Sequence, residues 1–589
     1  MHRERDATCG KMPVMDDRAR RREEPLERAA QTGADWLVAA LGAAGVEYLF
    51  GVPGGAVEPL VDALARAERR GGPRLVVARH ESGAAWMAES YYQATGRLGV
   101  CFATTGPGAT NLATGAASAA ANGSPLLVLT GQTPLPTFGR TAFQESSCTG
   151  IDVVALFAPL TRYNSLVSHP AQLPWKLAAA VRRAFHHPRG PVHLSLPFDV
   201  LAAPPVEPVP APPGSAVHFF DGEAVRQLAV RLAAARRPVL VAGGPWAAEE
   251  DALAKLAEHL DAPLLATAAG RCAVDAAHPR FAGVVGFAGH PSARRLLVDP
   301  EVDAVLFAGG PLSEWAADGW DERLLAGPRL IHLSPDPEHF SASPTAGLQV
   351  LGTPAAVCAE LLGLLPRRRG AARADRVEMA DPAAMAARTS PLRPEWLMAE
   401  LARRCPPDSL FLADAGNALA WATHYLLAPG KGPRGTGGSL RALLDFAAMG
   451  WAIGGAVGTA LGARGRPVVC LTGDGAFLMS GQEITVAVQE RLPVLFVILH
   501  DGALGMVRHG QRLTGAESHG WALPEVDFAA WGEALGIPGL RIRAPEDLEA
   551  VDFAALARRP GPALLDVRVD PLACPPMEMR GRTLRRARA

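Results

Sequence analysis

The chain predicts an α/β protein made of three doubly wound parallel-sheet domains. Three observations carry this. Short apolar, β-branched runs alternate with segments of helical period from about residue 31 to residue 575, the pattern of parallel sheets covered by helices. Several of those runs end in glycine turns, among them Gly54-Gly55, Gly106-Pro107-Gly108, Gly243-Gly244 and Gly473-Asp474-Gly475. Two proline-rich linkers, residues 204–213 and 366–391, cut the 589 residues into pieces of domain size.

Taken in order, residues 1–30 form a charged leader without the apolar segment of a secretory signal. The N-terminal domain, 31–203, predicts a helix over 33–44, a strand over 48–52 and a helix over 57–67. A strand over 75–79 follows and hands over at His80-Glu81 to a helix holding Ala84, Met87 and Tyr91. Strands over 99–105 and 126–130 flank a small-residue helix over 109–121, and a strand over 191–197 closes the domain. The central domain, 218–365, predicts strands over 237–242, 263–267, 304–308 and 330–333, with a helix over 249–259. The C-terminal domain, 392–575, opens with a strand over 410–413, and residues 576–589 read as a basic tail.

Composition excludes some functions. Lysines and arginines (58) nearly cancel aspartates and glutamates (59), so no overall field favours nucleic acid. No apolar run approaches the ~18 residues of a membrane span. Eight scattered cysteines without a C-x-x-C pair read as reduced residues of a cytoplasmic protein.

The richest stretch is 467–508. An apolar strand over 468–472 ends at Gly473-Asp474-Gly475, a helix over 476–491 places Phe477, Ile484 and Val488 on one face, and a strand over 494–499 runs into His500-Asp501-Gly502. The crossover makes the strands parallel, which puts Asp474 and Asp501 at one carboxyl edge, where open α/β sheets bind ligands. Close-approaching glycine backbone and two hard carboxylates suit a diphosphate held through Mg²⁺. Alone, Gly-Asp-Gly is first of all a turn. The flanking strands and the second acid 27 positions on favour the metal and phosphate.

These residues resemble the thiamine diphosphate motif, and Gly505-Met506-Val507-Arg508 resembles the acetolactate synthase large (catalytic) subunit. The resemblance covers about residues 30–575 and implies a pyrimidine-binding domain, a central Rossmann-like domain and a diphosphate-binding domain. It implies Mg²⁺ on Asp474, Asp501 and the carbonyl of Ala503, although the family's paired asparagines are His500-Asp501 here. Cofactor contacts fall on Gly106, Asn111, Gly416, Asn417, Gly473, Gly475, Ala476, Gly505 and Met506, with Met449 beneath the ring system. Glu81 matches the catalytic glutamate that meets the aminopyrimidine, and Phe143 and Gln144 match active-site residues of an A-F-Q-E run.

The implied reaction is decarboxylation of a 2-oxo acid, then ligation to a second carbonyl acceptor, in a homodimer or homotetramer with interface active sites. Rivals are simple decarboxylation similar to benzoylformate decarboxylase, acyl transfer, and a cofactor-binding paralogue without chemistry. Two departures matter. The flavin segment of acetolactate synthases lacks both arginines here, at Pro311 and Trp315, which argues against bound FAD. The tryptophan that walls their acceptor site is Gly510, which implies an acceptor larger than pyruvate.

Overall fold

The computed structural model describes residues 32–204, 217–244, 251–368 and 376–586; the leader and parts of both linkers lie outside these. Three six-stranded sheets are present, and every strand pairing within them is parallel. The N-terminal sheet holds β1 (Tyr48–Val52), β2 (Arg74–Val77), β3 (Gly99–Ala103), β4 (Leu126–Gln132), β5 (Tyr163–Leu166) and β6 (Pro191–Pro197), ordered β2-β1-β3-β4-β6-β5. The central sheet holds β7 (Pro238–Ala242), β8 (Leu264–Thr267), β9 (Phe281–Val285), β10 (Ala304–Ala308), β11 (Leu330–Ser334) and β12 (Leu348–Leu351). Its order, β12-β11-β10-β7-β8-β9, is that of dinucleotide-binding domains.

The C-terminal sheet holds β13 (Leu410–Ala413), β14 (Leu440–Ala442), β15 (Val468–Gly473), β16 (Val494–His500), β17 (Gly539–Ile542) and β18 (Ala563–Arg568). Its order, β14-β13-β15-β16-β18-β17, repeats that of the N-terminal sheet strand for strand. Both faces are covered: Val468 and Cys470 join one apolar cluster, Val469 and Leu471 another. That explains why these strands read as continuous apolar runs rather than alternating ones.

The N- and C-terminal domains share a core. Helix Glu81–Thr95 lies on helix Trp451–Gly462, and residues of both belong to one buried cluster. The helices touch backbone to backbone. A Cβ on Gly458 would stand 2.0 Å from the Met87 carbonyl oxygen.

Two expectations need correction. The helix predicted over 476–491 is three pieces: helix Asp474–Ser480, a 3₁₀ turn Gly481–Glu483 and helix Ile484–Gln489. Gly481 packs against the Phe477 ring, where a Cβ would stand 2.6 Å from Cε1. The basic tail is largely a helix, Glu578–Arg586. Met577 and Met579 are buried, Arg580 lies over the Trp315 ring, and Arg582 pairs with Asp318 at 2.7 Å. Arg580 and Arg582 thus have partners on the central domain, which marks a docked face.

Candidate active site

Strands β13, β15 and β16 are neighbours, so their carboxyl ends bring three turns to one sheet edge. Each turn runs into a helix: Asn417–Tyr425, Asp474–Ser480 and Gly505–Thr514. No N-cap side chain bonds at any of the three starts, and apart from the Gly475 amide, which Asp474 takes, their first amides are left to whatever fills the space they face. That space is a cavity of about 110 Å³. Gly416, Asn417, Met449, Gly473, Asp474, Gly475, Ala476, Asp501, Ala503, Gly505 and Met506 all line it.

The cavity fits a diphosphate and a divalent cation. Asp474 is buried; its Oδ1 accepts the Gly475 N–H at 2.8 Å and its Oδ2 the Gly502 N–H at 2.7 Å. Burial raises its pKa. For Asp501, burial and then the charge of Asp474 push the carboxyl up to about 7, while Arg508, 3.1 Å from Oδ2, pulls the other way. A carboxyl raised by a neighbouring carboxylate is relieved by a hard cation placed between them. The Asn417 Oδ1 is buried without a partner, an acceptor left for a ligand. Gly505 has no room for a side chain, since a Cβ there would stand 2.4 Å from Asn417 Nδ2 and 2.5 Å from Asp501 Oδ2.

His500, where the motif has an asparagine, is buried and tied backward. Its Nδ1 lies 2.8 Å from Asp566 Oδ1, and Asp566 meets Arg543 at 2.9 Å. Its Nε2 stands 4.0 Å from Asp474 Oδ2. Asp414 wires the turns together from behind. Oδ1 accepts the Ala415 and Gly450 amides at 3.0 Å each, and Oδ2 accepts the Thr472 hydroxyl at 2.8 Å. Burial pushes Asp414 up to about 6, against those bonds. It thereby fixes the backbone beside Met449, whose Cε lies 3.5 Å from where a Cβ on Gly475 would stand.

The N-terminal residues form a second constellation at the carboxyl end of β3. Asn111 Nδ2 donates to Glu81 Oε2 at 3.0 Å, and a Cβ on Gly108 would stand 3.3 Å from Glu81 Oε1. Gly106 abuts Gln144, which holds a left-handed φ of 58° while its carbonyl accepts the Thr105 hydroxyl at 2.9 Å. Phe143 is 87 % exposed. Among the described residues, the cavity's lining comes wholly from position 394 onward, so Glu81, Gly106, Asn111, Phe143 and Gln144 are not part of it.

Sequence reasoning missed two carboxylates at this site. Asp414, just past the predicted strand 410–413, joins its own turn to Gly450 and Thr472, contacts between distant segments that no local pattern reveals. Glu483 was passed over as a residue of a continuous helix, although it is fully buried and bonds to Arg79 and His80 beside Glu81. A larger cavity, about 220 Å³, lies between the central domain and helix Glu578–Arg586. Its Arg294 and Arg582 both pair with Asp318.

Comparison with known proteins agrees with this geometry. Residues 31–154 match the thiamine pyrophosphate enzyme N-terminal TPP binding domain, 225–361 the central domain and 414–567 the C-terminal TPP binding domain. An acetolactate synthase of Arthrospira platensis is 31% identical over 91% of this chain and 94% of its own length. One of Mycobacterium bovis is 33% identical, over 91% and 87%. A probable 2-ketoarginine decarboxylase, AruI, of Pseudomonas aeruginosa is 34% identical, over 91% and 94%. With three domain matches in chain order and relatives alike over nearly its whole length, the chain belongs to the thiamine pyrophosphate (thiamine diphosphate) enzyme family.

Proposed function

We propose that this chain is a thiamine diphosphate- and Mg²⁺-dependent enzyme that removes CO₂ from a 2-oxo acid and joins the remaining acyl carbon to a second carbonyl compound. When bound, the cofactor supplies a nucleophilic thiazolium carbon and an electron sink for the pair released with CO₂. The carrying observation is the pair of carboxylates lining one cavity at three helix starts, Asp474 buried and Asp501 half-buried, with the Asp474 charge helping to raise Asp501. Asp474, Asp501 and the Ala503 carbonyl would hold Mg²⁺, and the helix-start amides the diphosphate oxygens. Met449 supports the ring system from below. Glu81, steadied by Asn111, holds a proton against the aminopyrimidine ring nitrogen. Phe143 and Gln144 wall the reacting centre and exclude water, so the acyl carbon meets its acceptor before a proton.

Each complete site takes two chains in this proposal. Its support is that no N-terminal site residue lines the described cavity and that Phe143 is exposed. A two-fold homodimer that sets one chain's Glu81 face over the other's cavity satisfies both. Free cysteines at seven described positions suit a cytoplasmic setting. No flavin is proposed. Residues 309–315 offer no arginine, and Gly244 and Gly310 approach so closely across the β7–β10 switch point that neither has room for a Cβ.

A second reading, decarboxylation alone, is favoured by one feature. Gly510 is buried without a side chain, and the loop after helix Gly505–Thr514 folds back so that Leu523 N–H bonds to the Gly502 carbonyl. The relative named as a 2-ketoarginine decarboxylase fits a site reshaped for a longer 2-oxo acid. Product analysis with pyruvate and longer 2-oxo acids, cofactor and Mg²⁺ separates the readings. A 2-hydroxy ketone supports ligation, an aldehyde alone supports the second reading, and turnover of none of them contradicts both.

A further inference from the structure

Glu483 ends the 3₁₀ turn that follows the helix of Asp474, and its side chain crosses to the N-terminal domain. Its Oε1 accepts the backbone N–H of His80 at 2.8 Å, and its Oε2 that of Arg79 at 3.1 Å. Those amides immediately precede Glu81, the first residue of helix Glu81–Thr95. The fit is close: a Cβ on Gly83 would stand 2.5 Å from Glu483 Oε1. The Arg79 guanidinium reaches the helix that follows, Ile484–Gln489, bonding Thr485 Oγ1 and Gln489 Oε1 at 2.8 Å each.

Domain docking does not require a carboxylate here. The helices Glu81–Thr95 and Trp451–Gly462 already join the domains through apolar contact. Burial pushes Glu483 up to about 7, against the two amides and the Arg79 charge, with the Glu81 charge adding a smaller push. A buried acid carries a desolvation cost that an apolar side chain of similar volume avoids. What the carboxylate adds is direction, because it accepts two successive amides and so fixes the start of the helix that carries Glu81.

We infer that Glu483 is a positioning residue for the reaction, aiming the Glu81 carboxylate by holding the Arg79 and His80 amides from the 3₁₀ turn that follows the helix of Asp474. This rests on the role proposed for Glu81. The test compares Glu483→Gln, Glu81→Gln and the double variant in two states. Without cofactor, amide exchange of the 79–84 segment should quicken about tenfold in Glu483→Gln, since one of two charge-assisted acceptors is lost. With cofactor and Mg²⁺, C2–H/D exchange should slow by about 10–100-fold, the usual effect of removing an orienting partner, with cofactor affinity within about twofold. In the double variant Glu483→Gln should add nothing to the loss from Glu81→Gln, as expected of groups acting through one carboxylate.

Wild-type C2 exchange in Glu483→Gln, whether or not amide exchange changes, would leave Glu483 as a docking residue and overturn the inference. So would losses that multiply in the double variant. Wild-type C2 exchange in Glu81→Gln itself would instead strike the proposed function. If Glu483→Gln does not fold, Glu483→Asp, which keeps the charge but shortens its reach, must show the same split between exchange and affinity.

Discussion

Asp501 stands where the motif has a neutral ligand, so its oxygen rather than its charge should be what Mg²⁺ needs. Asp501→Asn is expected to retain cofactor binding. Asp501→Ala should weaken Mg²⁺ about 10–100-fold, the usual loss when a metal site is disturbed, and calorimetric titration measures both. Unchanged affinity in the alanine variant contradicts the metal assignment. Glu81→Gln should keep the cofactor yet slow C2–H/D exchange by about 10²–10⁴-fold, the range of general acid–base catalysis, and exchange NMR reads this directly. These residues were legible because Asp474 and Asp501 each follow a strand of one strand–helix–strand unit. Glu483 was not, because its partner amide at His80 lies 403 positions away. An acid in a helical pattern otherwise reads as solvated surface.

The elements were legible where they are long and fully buried, as β4 and β16 are. Edge strands other than β2 were missed. β14 has three residues, and β5 carries Asn164 and Ser165, too short and too polar for an apolar run to register. The break at Gly481 is a packing event against Phe477, which no local periodicity announces. The glycine-rich helix Trp451–Gly462 has its reason in the contact with helix Glu81–Thr95. Gly458→Ala should destabilise the chain by about 1–3 kcal/mol, because the overpacked helices must separate; denaturant titration measures it. At the joint of the central and C-terminal domains, His290 and His424 stack with ring centroids 4.3 Å apart. Burial lowers both, His424 to about 4. The unfolded chain binds more protons below about pH 6.5, the ordinary histidine value, so their contribution is complete above that pH and lost as pH falls toward 4. Melting followed between pH 8 and pH 5 should show this slope, and it should flatten in His424→Gln. An unchanged slope would place the acid sensitivity elsewhere.

At the scale of the molecule, the N- and C-terminal sheets share one strand order and the central sheet has another. The sequence predicted three doubly wound sheets but not this repetition, because strand order follows from packing between distant segments. It did show that the central domain lacks the arginines of its flavin-binding counterparts. Purified protein is therefore expected to be colourless after gel filtration, and a retained flavin spectrum at one per chain would reverse that proposal. The central claim is a site completed by two chains, Glu81 from one and Asp474 from the other. Its most direct test co-expresses Glu81→Gln and Asp474→Ala chains with different tags. Homodimers of either variant should be nearly inactive. A randomly assembled mixture should recover about a quarter of wild-type activity, since about half the dimers are hybrid and each hybrid holds one intact site of two. Purified hybrids with no activity above the parent variants would contradict the account.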